Sequence, residues 1–244
     1  MKKIFIALDG NYTLDEFCDI AKQLLQAKIR TNIKICFKIG MEFFYSFGFY
    51  GVNKIEELGA EIFLDLKFFD ISNTVEGALR AIYKNSKGFI KYTTLHLLNG
   101  TECLRRAHSF NNQQQNKIKI LGVSLLTSLD ESYLREQNFS YQSSADAVKN
   151  MIKLSHNFVD GCICSPLEAA FVRQIAAENF EIITPGVQIN TLNNDQSTDQ
   201  KRTATPLAAF QNGASGIVIG RAIMQTPNKL LTLEQILSDL SALS

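Results

Sequence analysis

The sequence predicts an α/β chain folded as a TIM (β/α)8 barrel, one domain spanning residues 1–244. Short apolar runs rich in Ile, Val and Phe recur eight times along it. They alternate with stretches whose apolar residues recur at helical spacing, the rhythm of βα units. Eight such units occupy 244 residues with no linker between them, which is the count and size of a (β/α)8 barrel. A doubly wound open sheet is the alternative. The Gly-rich dinucleotide fingerprint that would favour it is missing after the first strand, where Asp9-Gly10-Asn11-Tyr12 follows instead.

The first strand is expected at Lys3–Asp9, and the helical pattern Leu14–Ala27 carries Leu14, Phe17, Cys18, Ala21, Leu24 and Leu25 on one face. Ile33–Ile39, Glu61–Lys67 and Phe89–Leu97 supply the next three strands, with a helix at Val75–Tyr83 after the third. The polar run Asn111 to Asn116 lies between the fourth helix and the fifth strand and reads as an ordinary surface loop on the face where barrel loops mainly serve stability. Strand five is placed at Ile118–Thr127, a helix at Ala145–His156, strand six at Phe158–Ser165, a helix at Leu167–Glu178 and strand seven at Phe180–Val187. A long connection rich in Asn, Asp, Ser and Thr, Gln188 to Thr205, leaves the carboxyl end of strand seven. Structureless loops longer than about 12–15 residues are usually functional or disordered, and this position favours a loop that covers a ligand. Gly216–Arg221 is the eighth strand and Leu230–Leu243 the closing helix.

Lys plus Arg number 25 against 24 Asp plus Glu, a formal charge of +1, so no global field draws the chain to nucleic acid or an anionic membrane. The apolar run Ile4 to Leu8 ends at Asp9 and is too short for the core of a signal peptide. No later stretch approaches the roughly 20 apolar residues of a membrane helix, and the chain is expected to be cytoplasmic. Five cysteines, widely spaced and without a CxxC pair, suit reduced thiols rather than a disulfide framework or a zinc site. Cys162 and Cys164 share one face of their strand and read as packed thiols.

A barrel builds its active site where the strands end. Asp9, Lys38, Asp65, Lys67, His96, Ser124 and Thr127 all fall at those ends and must converge within one ring. The densest element is Glu61 to Thr74, where strand alternation turns Asp65 and Lys67 one way and Leu64 and Leu66 the other. Asp70 follows past the strand end and completes a carboxylate, ammonium, carboxylate array. At an effective dielectric near 20, unit charges about 4 Å apart interact by roughly 4 kcal/mol, so each member strongly favours the charged form of its neighbour.

The segment D-L-K-F-F-D-I-S-N-T at Asp65–Thr74 resembles the D-x-K-x-x-D segment of the orotidine 5′-phosphate decarboxylases, in particular the bacterial form D-L-K-F-x-D-I-P-N-T. The resemblance runs along the whole chain. I-A-L-D at Ile6–Asp9, F-K-I-G at Phe37–Gly40, L-L-T-S at Leu125–Ser128, D-G-C-I-C-S at Asp160–Ser165, T-P-G-V at Thr184–Val187, D-Q-K-R at Asp199–Arg202 and I-G-R-A-I at Ile219–Ile223 fall in family order. The family fold is a TIM barrel, in agreement with the strand count.

The resemblance implies decarboxylation of orotidine 5′-phosphate to uridine 5′-phosphate in pyrimidine biosynthesis, with no cofactor and no metal. It makes Lys67 the proton donor, sets Asp65 beside the departing carboxylate, and sends Asp70 into the neighbouring subunit's site of a homodimer. It assigns Asp9 and Lys38 to the ribose hydroxyls, Thr127 to the pyrimidine, Gln188, Gln200, Gly220 and Arg221 to the phosphate, and Asn73 and Thr74 to substrate binding. The chain departs from the family pattern at Phe69, where His is common, at Ser72, where Pro is common, and at Gln188, where many bacterial members have Arg; Lys201 and Arg202 are nearby basic residues. Leu97-Leu98-Asn99-Gly100 replaces a more usual small-residue turn after His96.

His108 and His156 have no partner at catalytic or metal-ligand spacing and read as surface or capping residues, whereas His96, at a strand tip, is read as orienting its neighbouring loops. Two other functions compete with the cofactor-free lyase. A metal-dependent sugar-phosphate decarboxylase or aldolase of the same suprafamily would use these carboxylates to hold magnesium. A phosphate-ligand binding protein without turnover would need no Asp65, Lys67 and Asp70 array.

Overall fold

The computed structural model describes residues 1–28, 32–187 and 204–241. Eight parallel strands close into a ring in chain order: β1 (Lys2–Ala7), β2 (Ile33–Ile39), β3 (Ile62–Phe68), β4 (Ile90–His96), β5 (Lys119–Val123), β6 (Gly161–Ile163), β7 (Glu181–Thr184) and β8 (Gly216–Ile219). Each strand pairs with its successor, and β8 returns to β1 through Phe5 opposite Val218 and Ile6 opposite Ile219. The helices between them are α1 (Leu14–Leu24), α2 (Met41–Glu56), α3 (Ser72–Asn85), α4 (Gly100–Asn112), α5 (Glu131–Glu136), α6 (Ser144–Ser155), α7 (Ala169–Ile175), α8 (Pro206–Gln211), α9 (Arg221–Met224) and α10 (Lys229–Asp239). α2 is kinked at Gly48, whose φ of +55° lies in the left-handed region.

Closure sorts each strand's residues into an outer and an inner face. The outer face meets the helices: α1 opens with a capping box between Thr13 and Glu16 and buries Phe17, Ala21 and Leu24. The inner face is layered along the barrel axis. Its middle is an apolar and aromatic plug of Phe5, Cys36, Phe63, Tyr92, Leu121 and Ile183, with Phe5 edge-on to both Phe63 and Tyr92. Its amino-terminal end is charged, where Lys3 and Lys119 lie 3.2 and 2.5 Å from Glu181 and Lys34 lies 2.7 Å from Glu61. Burial pushes the Glu181 carboxyl up, but the two ammonium groups outweigh it and hold the group below its ordinary value. Burial and the neighbouring Glu61 carboxylate push the Cys36 thiol up to about 12, so it packs as an inert apolar group.

The strand order and every expected strand are present, but six strands are shorter than the apolar runs suggest. β5 ends at Val123 rather than Thr127, and β6 covers three residues rather than Phe158–Ser165. Ser124, Leu125 and Thr127 remain buried beyond the end of the ladder, and burial there looks the same as a strand in sequence. β7 and β8 likewise stop at Thr184 and Ile219. Cys162 and Cys164 are buried on the outer face, and none of the five cysteines forms a disulfide. The long connection after strand seven lies mostly outside the described residues, and Val187 and Ala204 at its margins pair.

The polar run after the fourth helix corrects a sequence expectation. Asn111 and Asn112 belong to α4, and Asn111 is buried rather than part of a surface loop. Its Oδ1 accepts from the Tyr83 hydroxyl, its Nδ2 donates to the Ile118 carbonyl at 2.8 Å, and the Tyr83 oxygen accepts from the Ile118 amide at 2.9 Å. These three groups tie α3 and α4 to the start of β5. Asn111→Ala would leave the Ile118 carbonyl buried without a partner, a loss of about 1–3 kcal/mol. A urea midpoint equal to that of the wild type, at unchanged slope, would show that the ring contributes nothing.

Candidate active site

At the carboxyl ends of the strands the ring opens into a cavity of about 400 Å³. Phe63, Val123, Ile163 and Val218 form its apolar floor and walls. Asp9, Lys38, Asp65 and Lys67 line it together with Thr127, the Pro185–Val187 backbone, Gly220 and Arg221. Most of the strand-end residues singled out in the sequence therefore do meet.

The charges form a chain centred on Asp65. Its Oδ2 lies 2.9 Å from the Lys67 ammonium and 4.0 Å from that of Lys38, which in turn lies 3.3 Å from Asp9 Oδ1. Its Oδ1 accepts from the Thr94 hydroxyl at 3.0 Å. Asp65 and Lys38 are nearly buried, and pairing is what makes such a position tolerable, because an isolated ion there would lose its hydration without return. Gly40 serves this arrangement by close approach. A Cβ at that position would sit 2.8 Å from Lys38 Nζ and 3.3 Å from Asp9 Oδ1.

Lys67 reaches Asp65 by a route that strand alternation does not describe. Between the pairs Leu64 with Thr93 and Phe68 with Leu95, β3 takes four steps and β4 two. Asp65, Leu66 and Lys67 thus face Thr94 across a bulge, a device that re-aims side chains beside active sites. Lys67 adopts a φ of +48°, which costs a residue with a Cβ about 1–2 kcal/mol. Its amide donates to Thr94 Oγ1 at 2.8 Å. One buried hydroxyl therefore holds both the backbone of Lys67 and the carboxylate of Asp65. Thr94 was not singled out in the sequence, although stepping back two residues from His96 along the inward face leads to it.

Asp70, Asn73 and Thr74 do not line the cavity of their own chain. All three are exposed; Asp70 accepts from the Ile71 amide at 2.7 Å and Asn73 from Arg106 at 3.2 Å. Gln188 and Gln200 lie outside the described residues. His96 acts as expected, its Nδ1 accepting from the Leu98 amide at 3.3 Å. Burial, and then the Lys67 charge, lower its pKa, which keeps the ring neutral and able to accept that bond. The Phe69 ring packs 5.3 Å from it.

Comparison with known proteins places this geometry in context. Residues 2–236 match the model of the Orotidine 5'-phosphate decarboxylase / HUMPS family. The chain is 35% identical to an orotidine 5'-phosphate decarboxylase of Oenococcus oeni over 241 residues, covering 98% of each chain. It is 39% identical to that of Wolbachia pipientis over 205 residues, 84% of this chain and 86% of the relative. The crystal structure of orotidine 5'-phosphate decarboxylase from Lactobacillus acidophilus superposes with a TM-score of 0.78 at 29% identity, over 98% of this chain and 99% of that one.

Thr94→Val keeps the volume and removes the hydroxyl that serves Asp65 and Lys67. Because one partner is charged, it is expected to destabilise the fold by about 1.5–3 kcal/mol. Thr94→Ser should recover most of that loss in denaturant unfolding. If Val and Ser behave alike, the hydroxyl does not hold the bulge.

Proposed function

The chain belongs to the orotidine 5′-phosphate decarboxylase / HUMPS family, and from that premise we propose how its barrel mouth converts orotidine 5′-phosphate to uridine 5′-phosphate in pyrimidine biosynthesis. The observation that carries the assignment of roles is the ion-paired chain Asp9, Lys38, Asp65 and Lys67 set above an apolar floor. Breaking the bond between the pyrimidine and its carboxylate releases carbon dioxide and leaves an electron pair on the ring carbon. The Lys67 ammonium stabilises that charge as it develops and then delivers its proton to the same carbon; water reprotonates the amine. The protein supplies both the electrostatic stabilisation and the proton, so the step calls for no electron-sink cofactor. Asp65, beside the departing carboxylate, holds Lys67 in place.

Asp9 and Lys38 hold the ribose hydroxyls, and Thr127 contacts the pyrimidine. Gly220 and Arg221, with Gln188 and Gln200 of the long loop, take the phosphate at the common barrel site after strands seven and eight. Support for this comes from Gly220 and Arg221 lining the same cavity as Lys67. The metal-dependent alternative has less support. Both oxygens of Asp65 are already engaged by cations and a hydroxyl, and among the described residues no three His, Cys, Asp or Glu side chains are grouped to hold a metal ion.

The enzyme works as a homodimer in which Asp70, with Asn73 and Thr74 on the same segment, completes the site of the second copy. Two observations support this reading. Asp70 points away from its own cavity, and Phe69, Ile71 and Leu98 beside it are 65, 72 and 41% exposed, an apolar rim that a second copy would cover. One catalytic domain in a reducing, cytoplasmic setting accords with five cysteines outside any disulfide, and no described helix is long and apolar enough to cross a membrane.

Lys67→Ala should lower turnover of orotidine 5′-phosphate by at least about a thousandfold while the far-UV spectrum stays unchanged, and a chelator should leave the wild type fully active. Near-normal turnover by the variant, or loss of wild-type activity to the chelator, would overturn the assignment. The shared site has its own test. Mixing inactive Lys67→Ala with inactive Asp70→Ala chains makes about half of all dimers mixed, each with one intact site, so about a quarter of wild-type activity should return. Continued inactivity after subunit exchange is confirmed by mass spectrometry would place Asp70 in its own chain's site.

A further inference from the structure

The turn that replaces the family's small residues after β4 makes a connection of its own to β3. A single 3-10 turn, Leu97–Asn99, is followed by Gly100 at φ +80°. It is seated from below: Gly122 on β5 leaves room for Leu97, since a Cβ there would sit 2.4 Å from a Leu97 methyl. From this footing the Asn99 side chain reaches back to the end of β3. Its Nδ2 donates to the Phe68 carbonyl at 2.8 Å, and its Oδ1 accepts from the Asp70 amide at 3.0 Å. One carboxamide thus bridges the backbone on both sides of Phe69. Asp70 then turns its own carboxylate onto the Ile71 amide at 2.7 Å, and Phe69 lies against the His96 ring, which caps the same 3-10 turn.

We propose that Asn99 is a positioning residue: it sets the direction in which Asp70 leaves the barrel and thereby tunes the active site of the second copy. The proposal rests on the shared-site reading above. The chemistry asks for Asn in particular, because the bridge needs a donor for one carbonyl and an acceptor for one amide at the same reach. Asp offers no donor, and Ala offers neither. Without the bridge the Asp70 segment loses its two anchors, and a carboxylate that must complete a site across an interface is misplaced; a 1 Å error of this kind can cost about a hundredfold in rate.

The consequence distinguishes Asn99 from a residue that merely stabilises its own chain, because its lesion acts in trans. Asn99→Ala homodimers should retain about a tenth to a hundredth of wild-type turnover. In an equimolar mixture with inactive Lys67→Ala chains, the mixed dimers contain one site built from the Lys67 of the first chain and the intact Asn99 and Asp70 of the second. Activity should then rise to about a quarter of the wild-type value, well above the sum of the separate preparations. If it stays at that sum while the Asp70→Ala and Lys67→Ala control pair recovers, Asn99 acts within its own chain and the proposal is wrong. If the control pair also fails with exchange confirmed, the shared-site reading itself falls. Undiminished turnover in the Asn99→Ala homodimer would likewise overturn the proposal. Thermal unfolding checks each variant, and Asn99→Asp, which keeps the acceptor and loses the donor, takes the place of Ala if Ala does not fold.

Discussion

Closing eight parallel strands into a ring is the constraint on which the rest of this molecule depends. Alternate residues of every strand must enter one narrow interior, so polar groups scattered along the sequence are forced together at two heights and excluded from a third. The middle height holds the plug of Phe5, Cys36, Phe63, Tyr92, Leu121 and Ile183, packed too tightly with apolar groups to suit an ion. Charge is confined to the ends. At the amino end it is arranged around Glu181 and Glu61, and at the carboxyl end around Asp65. Phe63 belongs to the plug and also lines the cavity, so the floor of the site and the core of the barrel are the same surface. Residues that stabilise the fold and residues that shape the cavity cannot be varied independently there.

At the carboxyl end the electrostatics are settled before any ligand arrives. Asp65 is held on both oxygens, by Lys67 and Lys38 on one and by Thr94 on the other. The left-handed backbone at Lys67 is unfavourable by about 1–2 kcal/mol, and the 2.8 Å bond from its amide to Thr94 offsets a comparable amount. Strain at Lys67 and order at Asp65 are two consequences of one hydroxyl. Such an array needs little reorganisation when charge develops near it, and fixed dipoles and ions contribute most to catalysis under that condition.

The barrel was legible because its signal is repeated: eight apolar runs in alternation with helical spacing leave few other ways to bury so much surface. The inward charges were legible for a related reason, since several strands in succession carry a charged residue at their carboxyl ends. What could not be read belongs to pairing across strands. The bulge at Asp65–Lys67 is defined by what stands opposite on β4, and nothing within β3 announces it. Asn111 lies in a run of Asn and Gln that looks like a solvated loop, yet its environment is set by Tyr83, twenty-eight positions away. Ser124, Leu125 and Thr127 carry the composition of a strand because burial selects the same residues whether or not a neighbour is there to pair.

Phe69 and the Leu97–Gly100 turn, two of the places where the sequence departs from the family pattern, are neighbours. Phe69 packs on His96, Asn99 binds the backbone on either side of Phe69, and Leu97 fills the space left by Gly122. Taken singly each substitution looks like drift at an unimportant position. Taken together they rebuild one corner of the barrel rim, with a carboxamide and an aromatic ring in place of a tight turn of small residues. Groups in direct contact do not contribute additively, so the effect of any one of these residues depends on the others being present. Returning Asn99 alone to a small residue would leave Phe69 and Leu97 in place without the bond they were arranged around. The rim therefore works as a unit above the charged interior, which closure of the ring fixes.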